Sequence, residues 1–504
     1  MKSLLLRFSR RGSTRRQSSG LIANGSLFLV IAVIDLLVGC ASTNRYALIE
    51  QSLLAGDPAQ AASIVERAES QYGSKSRLLY LMDRGMALHL AGDYAQSNEA
   101  LEQAEEIVER LYTRTVRSET LAFLTNDNAL PYEGDPYEHV MINVVKALNY
   151  AAQNDVGGAL VEARRIDHRL NVLSDRLKGK GKGKNGYGND GFARYLSGML
   201  YEAAGDLNNA FIAYRNACEA YESMRGWSQV ACPPSLRADL LSSAEALGLA
   251  DEVDRYRSTY PDVEWLSASA RQRLAQVVMI SYNGRAPRKE DLYLDLPISL
   301  DALQLVLLNR GFSPSFGSRD RVMDSVLYGL SGRVVRVALP RLVQQKTKIP
   351  VETMTLTDEQ GASYATRSER AQDLTALAEK ALAERLPAMT VKAVARAATK
   401  FSMAEGAVIG SQQAVGRDAA PWVGLLVSLL AKGLAVASEE ADKRSWRTLP
   451  DEIHVARVWV PSGRYRATVH PSGGGVAVWA AGAEEPSLNL SPGQTMFLIR
   501  RVVQ

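Results

Sequence analysis

The spacing of apolar residues divides the chain into two halves. From about residue 44 to residue 260, apolar positions recur at helical spacing and are interrupted by short turns such as Gly-Asp and Asn-Asp. Beyond Tyr260 the pattern changes to short alternating or continuous apolar stretches, which are typical of strands. The predicted strands are 276–282, 291–298, 334–343 and 351–356, and the predicted helices are 369–386, before Pro387, and 390–401. The pattern therefore predicts an α+β chain in which a helical half precedes a β-rich half.

The helical half contains a repeated helix–turn–helix unit. The clearest copy runs from Phe192 to Tyr221, with Gly198 where two helices cross closely and a turn at Gly205-Asp206. Further copies are centred on 92–94 and 154–156, with weaker ones near 56–58 and 248–260. These units resemble the tetratricopeptide repeat (TPR). The resemblance implies a stacked α-solenoid whose groove binds a protein or peptide partner.

Four short segments resemble signatures of a family of uncharacterised TPR-containing Gram-negative lipoproteins. They are PYEGDPYE at 131–138, NGYGND at 185–190, NGRAPRK at 283–289 and WRTLP at 446–450. The family has no established activity, so the resemblance bears on architecture. In two of these segments we identify a candidate partner-binding surface, formed by Tyr132, Glu133, Tyr137, Glu138 and Tyr187. The alternative is that such residues cap helices and tie loops to the repeats.

The first 40 residues resemble a bacterial lipoprotein leader. A basic, acid-free stretch precedes the apolar run 26–39, and Leu37-Val38-Gly39-Cys40 resembles a lipobox. The resemblance implies cleavage before Cys40 and attachment of lipid, including palmitate, to its thiol. Ala41 stands where an inner-membrane retention signal carries aspartate, which implies an outer-membrane protein facing the periplasm. Without this leader the chain has 53 basic and 54 acidic residues, so its basic charge is no argument for nucleic-acid binding.

The remaining residues offer little recognisable chemistry. Cys218 and Cys232 fit either a disulfide in an oxidising compartment or two buried cysteines that never meet, and spacing alone leaves both open. The five histidines form no metal-binding spacing, and no nucleophile motif is present. The apolar run 421–438 predicts a helix that is buried or, as the alternative, inserted in a membrane. We therefore expect no enzyme, no cofactor and no metal.

The patterns together divide the chain of 504 residues into five parts. Its parts are a signal peptide at 1–39, a TPR-like α-solenoid at 40–262, a β-rich region at 263–360, a helical insertion at 361–447 and the rest of a β-sandwich-like domain at 448–504. The expected function is that of a membrane-anchored periplasmic scaffold that binds protein partners during cell-envelope assembly. The alternatives are a module that binds peptidoglycan or another polysaccharide and, ranked lower, a glycan hydrolase that uses two carboxylates.

Overall fold

The structure is a computed structural model that describes eight stretches of the chain. They are 45–113, 130–179, 189–297, 334–348, 351–393, 440–471, 476–480 and 485–503. Cys40 and its leader, Tyr187, the apolar run 421–438 and the greater part of the lysine–glycine stretch 178–184 lie outside the described residues. In the described part of the chain, no helix is long and apolar enough to span a bilayer.

The N-terminal half of the described chain is helical. The helices are α1 (45–54), α2 (Pro58–Arg67), α3 (Glu69–Tyr72), α4 (Arg77–Ala91), α5 (Tyr94–Thr113), α6 (Pro136–Ala152), α7 (Val156–Gly179), α8 (Gly191–Ala203), α9 (Leu207–Met224), α10 (Pro234–Ala246), α11 (Ala250–Thr259) and α12 (Ala268–Arg273). From α4 onward they form four successive pairs, α4–α5, α6–α7, α8–α9 and α10–α11, in which each pair packs on the next. We call α4, α6, α8 and α10 the first helices, and α5, α7, α9 and α11 the second helices.

Small residues allow the helices of a pair to turn and to cross closely. Gly92 ends α4 with a φ angle of 80°, and Gly205 lies in the turn before α9 with a φ angle of 78°. Glycine adopts this left-handed conformation without strain. A Cβ atom added at Gly198 would lie 2.4 Å from the ring of Tyr214, and one at Gly85 would lie 2.5 Å from Leu101. The glycines are therefore required where α8 meets α9 and where α4 meets α5.

The described part of the C-terminal half forms three sheets. The strands are β1 (Ala275–Asn283), β2 (Arg288–Pro297), β3 (Val334–Val343), β4 (Glu352–Asp358), β5 (Ser363–Arg367), β6 (Glu369–Asp373), β7 (Glu452–Val460), β8 (Gly463–Pro471), β9 (Val476–Trp479), β10 (Ser487–Leu490) and β11 (Thr495–Val503). A five-stranded sheet has the order β6-β7-β1-β11-β9, a four-stranded sheet β10-β8-β4-β5, and β2 and β3 form a ribbon. In the five-stranded sheet β1 and β11 are parallel, with Gln276 opposite Thr495, and the other neighbours are antiparallel.

The five-stranded sheet is the middle layer of the molecule. Alternate residues of a strand point to opposite faces. On β1, Val277 and Met279 pack in a core shared with the four-stranded sheet, whereas Val278 and Ile280 belong to the core that contains the helices. The layers are therefore helices, five-stranded sheet and four-stranded sheet, and the α+β prediction is confirmed.

The predicted helix at 369–386 differs from the structure at both ends. Glu369–Asp373 is strand β6, because this segment pairs with β7 at the sheet edge. Helix α13 follows at 374–393, and the Asp373 carboxylate accepts a hydrogen bond from the backbone N–H of Ala376 at its start. The helix continues beyond Pro387, whose ring removes one backbone donor without ending it. Strands β5 and β6 therefore lie inside the predicted helical insertion.

Candidate interaction sites

The segment 131–138, predicted to be part of a partner-binding surface, lies mostly inside the molecule. Tyr132, Tyr137 and Glu138 have exposed fractions of 5%, 6% and 0%. Glu133 is exposed. Asp135 is the N-cap of α6 and forms a capping box with Glu138, whose Oε2 accepts the Asp135 backbone N–H at 2.8 Å. Asp135 and Glu138 thus cap a helix, as the alternative interpretation proposed.

The same segment joins α6 to distant parts of the chain. The backbone N–H of Trp446 donates to Glu138 Oε1 at 2.8 Å, and Lys289 Nζ on β2 donates to Asp135 Oδ2 at 2.9 Å. Arg385 on α13 also binds Asp135. We call this set the 131–138 junction. Because Tyr132, Tyr137 and Glu138 are enclosed within it, the prediction that these three contact an external partner is corrected.

The junction strongly perturbs two carboxyl groups. Burial, reinforced by the neighbouring Asp135 charge, raises the pKa of Glu138 to about 7. Burial alone would also raise the pKa of Asp135, but Lys289 and Arg385 lower it to about 2. Asp135 is therefore the charged partner of the two cations, and Glu138 titrates close to neutral pH.

A second charged cluster joins β7 to two first helices. Arg457 on β7 contacts Glu202 Oε2 on α8 at 2.9 Å and also binds Asp239 on α10. Arg271 on α12 contacts the same two carboxylates at 2.6 and 2.9 Å. Burial alone would raise the pKa of Glu202, but Arg271 and Arg457 lower it to about 2. We call these four residues the Arg457 cluster. Its sequence signal is an arginine inside the otherwise apolar run 455–460 of strand β7.

Further contacts join the helical half, on α4 and on the second helix α9, to the sheet and to the segment before it. His89 on α4 lies 3.1 Å from the Tyr282 hydroxyl, and the Thr448 hydroxyl donates to Asp83 at 2.8 Å. The Tyr221 hydroxyl on α9 donates to the Ala371 carbonyl at 2.7 Å. In the described part of the chain, the first helices are therefore covered by the protein's own C-terminal half. A peptide partner in that groove, as predicted, would have to displace it.

An open groove lies on the other side of the helical half, between α5 and α7. It has a volume of about 530 Å³. It is lined by Glu102, Glu105, Glu106 and Glu109 from α5 and by Val161, Arg164, Arg165, His168 and Arg169 from α7. Helix α6 packs against both α5 and α7. We call this the α5–α7 groove.

A buried lysine holds the base of the α5–α7 groove together. The Lys146 side chain is 1% exposed, and its ammonium lies 2.8 Å from Glu105 and 3.1 Å from Glu162, while Glu102 is a third partner. The Asn143 amide donates to Glu105 and Glu162 at 2.9 and 3.0 Å. The carboxylates of two second helices thus converge on side chains of the first helix between them.

The electrostatics of this groove do not suit Glu102 or Glu105 to the role of a general acid. Burial alone would raise the pKa of Glu105, but Lys146, Asn143 and Arg165 together lower it below its usual value, and the pKa of Glu102 is lowered similarly. The general acid of a glycosidase needs a raised pKa. Glycan stacking on Tyr132 and Tyr137 is also disfavoured, because both rings are buried.

Cysteine and metal chemistry add one structural feature. Cys218 on α9 and Cys232, just before α10, form a disulfide with their Cα atoms 5.2 Å apart. The structure thus has the disulfide, rather than two buried cysteines that never meet. Within the described stretches, no group of three or more His, Cys, Asp or Glu side chains is arranged to hold a metal ion.

Known proteins share little with this chain. No protein-family model matches it, and no curated protein matches it. Among solved structures, the chain is similar to the crystal structure of PilW, a widely conserved type IV pilus biogenesis factor, at 19% sequence identity. The similarity covers 44% of this chain and 92% of PilW with a TM-score of 0.21. The functional proposal therefore depends on the sequence and the geometry of this chain.

Proposed function

We propose that the protein is a TPR-like adaptor of the bacterial cell envelope, which binds protein partners and catalyses no reaction. The observation that carries this proposal is the arrangement of the two helix rows. The first helices are committed to the protein's own C-terminal half through the 131–138 junction and, at the sheet, through the Arg457 cluster. The second helices of the first two complete pairs instead present an open charged groove. Partner binding is thus assigned to the second-helix side.

The location is part of the same proposal and is supported by the resemblance of the leader to a lipoprotein signal. A lipid on Cys40 would hold the protein at the outer membrane with its folded part in the periplasm. The Cys218–Cys232 disulfide supports a location in an oxidising compartment. Disulfides persist in the periplasm and are rare in reducing compartments. An adaptor held in this way would meet partners at the membrane surface.

Two experiments test the parts of this proposal separately. Labelled palmitate should be incorporated into the wild type and lost from Cys40→Ala, and equal labelling of both would remove the anchor. Purification of the tagged wild type from detergent-solubilised membranes should recover a reproducible envelope protein in stoichiometric amount. Repeated recovery of the chain alone would contradict the adaptor function, whatever the labelling result.

A further inference from the structure

The two walls of the α5–α7 groove carry opposite charge. On α5, Glu102, Glu106 and Glu109 are spaced by four and three residues, so they form a stripe along one helix face. Their side chains are 47%, 63% and 59% exposed. This wall therefore presents an accessible acidic stripe about two turns long.

The α7 wall presents the complementary stripe. Arg164 and His168 are exposed and lie one helical turn apart. Val161, 46% exposed, lies one turn before Arg164 on the same wall. This wall therefore combines an exposed arginine and an exposed histidine with one apolar contact point.

The groove is already formed in the folded chain. Arg165 on α7 contacts Glu102 on α5 at 2.9 Å, and Arg169 contacts Glu109 at 2.7 Å, so ion pairs span its base. The buried Lys146 holds both helices from below. Binding of a ligand would therefore cost little free energy for ordering the side chains of the groove.

We propose that the α5–α7 groove docks an α-helix of a partner protein that has a short apolar strip between one basic and one acidic edge. The basic edge would face Glu102, Glu106 and Glu109, the acidic edge would face Arg164 and His168, and the apolar strip would contact Val161. Charges that flank an apolar seam select partners in coiled coils in the same way. This inference rests on the proposed adaptor function and names its docking site.

The test uses three synthetic helical peptides of about 18 residues, roughly five turns. The striped peptide has a leucine strip with lysines on one edge and glutamates on the other. The mixed peptide has the same composition with both charges on both edges, and the basic peptide has lysines on both. Fluorescence anisotropy measures their affinity for the full chain in detergent. We expect the striped peptide to bind about five- to tenfold more tightly than either other peptide, and to weaken as salt screens the charges.

A change of one wall gives the sharper comparison. Arg164→Glu combined with His168→Glu replaces the exposed part of the α7 wall with two carboxylates, while Arg165 and Arg169 keep their pairs with α5. Both sites are exposed, so the fold should be retained. The variant should then prefer the basic peptide over the striped one, reversing the wild-type order. Arg225→Glu, at a side chain 73% exposed on α9's C-terminal end, changes charge outside the groove and should leave the order unchanged.

Equal binding of the striped and mixed peptides, no binding of any peptide, or an unchanged order in the double variant would overturn the docking proposal. These outcomes are distinct from failure of the adaptor function. If membranes still yield a stoichiometric envelope partner while the peptides fail to discriminate, the adaptor function stands and the docking site lies elsewhere.

Discussion

Removal of Arg457 tests whether a buried charge cluster binds the sheet to the helices. The Arg457 side chain is 4% exposed, and the carboxylates of Glu202 and Asp239 are 14% and 3% exposed. In Arg457→Met, two carboxylates share the one remaining guanidinium, that of Arg271. Removing one partner from a buried ion pair costs about 3–5 kcal/mol. Because Arg271 still neutralises part of the charge, we expect a loss of about 3 kcal/mol in the free energy of unfolding.

The assay is equilibrium urea unfolding with the disulfide intact, followed by far-ultraviolet circular dichroism and by tryptophan fluorescence. Arg464→Met is the matched control, since Arg464 is 72% exposed and its partner Glu359 is 62% exposed. This control should change the free energy of unfolding by about 0.5 kcal/mol or less. A loss in Arg457→Met no larger than that of the control would refute a stabilising role for the cluster.

The dependence on pH separates charge from packing. The folded-state pKa of Glu202 is lowered to about 2, so its stabilisation is present above the unfolded-state value and is lost as the pH falls toward 2. Loss of Arg457 raises that folded-state pKa and removes part of this contribution. The difference between wild type and Arg457→Met should therefore shrink as the pH falls from about 5 to about 3. A difference that stays constant over this range would assign the loss to packing.

Three further predictions concern the helix crossing, the junction and the disulfide. Gly198→Ala should cost about 1–3 kcal/mol in unfolding free energy, because its Cβ would overlap the Tyr214 ring. The control Gly226→Ala should cost little, because the space around Gly226 is open. Equal losses in the two variants would contradict this prediction. Because the folded-state pKa of Glu138 is raised to about 7, wild-type stability should fall as the pH rises from about 4.5 to about 7, and Glu138→Gln should flatten that slope in urea titrations at fixed pH. A slope unchanged in the variant would refute that assignment. The disulfide closes a loop with a sequence separation of 14, so its reduction should lower the free energy of unfolding by about 3 kcal/mol and lower the thermal midpoint. The Cys218→Ser variant should match the reduced wild type. An unaltered midpoint would contradict this prediction.

Local patterns predicted the elements of this fold well. Strand β3 has the predicted bounds of 334–343, because its apolar residues and flanking breaks are both local signals. The Gly205-Asp206 turn lies between α8 and α9 as expected, since left-handed glycine and an aspartate N-cap act within a few residues. Strand β6 was mistaken for the start of α13, because its pairing with β7 outweighs the helical pattern of the sequence.

The sites were less predictable, because their partners are distant in the sequence. Asp135 binds Lys289 and Arg385, which lie 154 and 250 positions away. Local sequence could assign Asp135 and Glu138 to a helix cap, and it could not show that the cap is covered by another part of the chain. Arg457 offers a detectable signal as a charge inside the apolar run 455–460, although its partners on α8 and α10 depend on the fold.

The energy of the interior contacts argues for the side on which a partner binds. A peptide that reached the first helices would have to separate at least the 131–138 junction and the Arg457 cluster. If each separation costs about 3 kcal/mol, the peptide must supply about 6 kcal/mol before any net affinity appears. That cost would weaken an intrinsic Kd of about 1 nM to about 25 μM. The α5–α7 groove carries no such cost, because it is open while the sheet stays in place. Binding at the second helices is therefore compatible with the folded chain, whereas binding at the first helices competes with it.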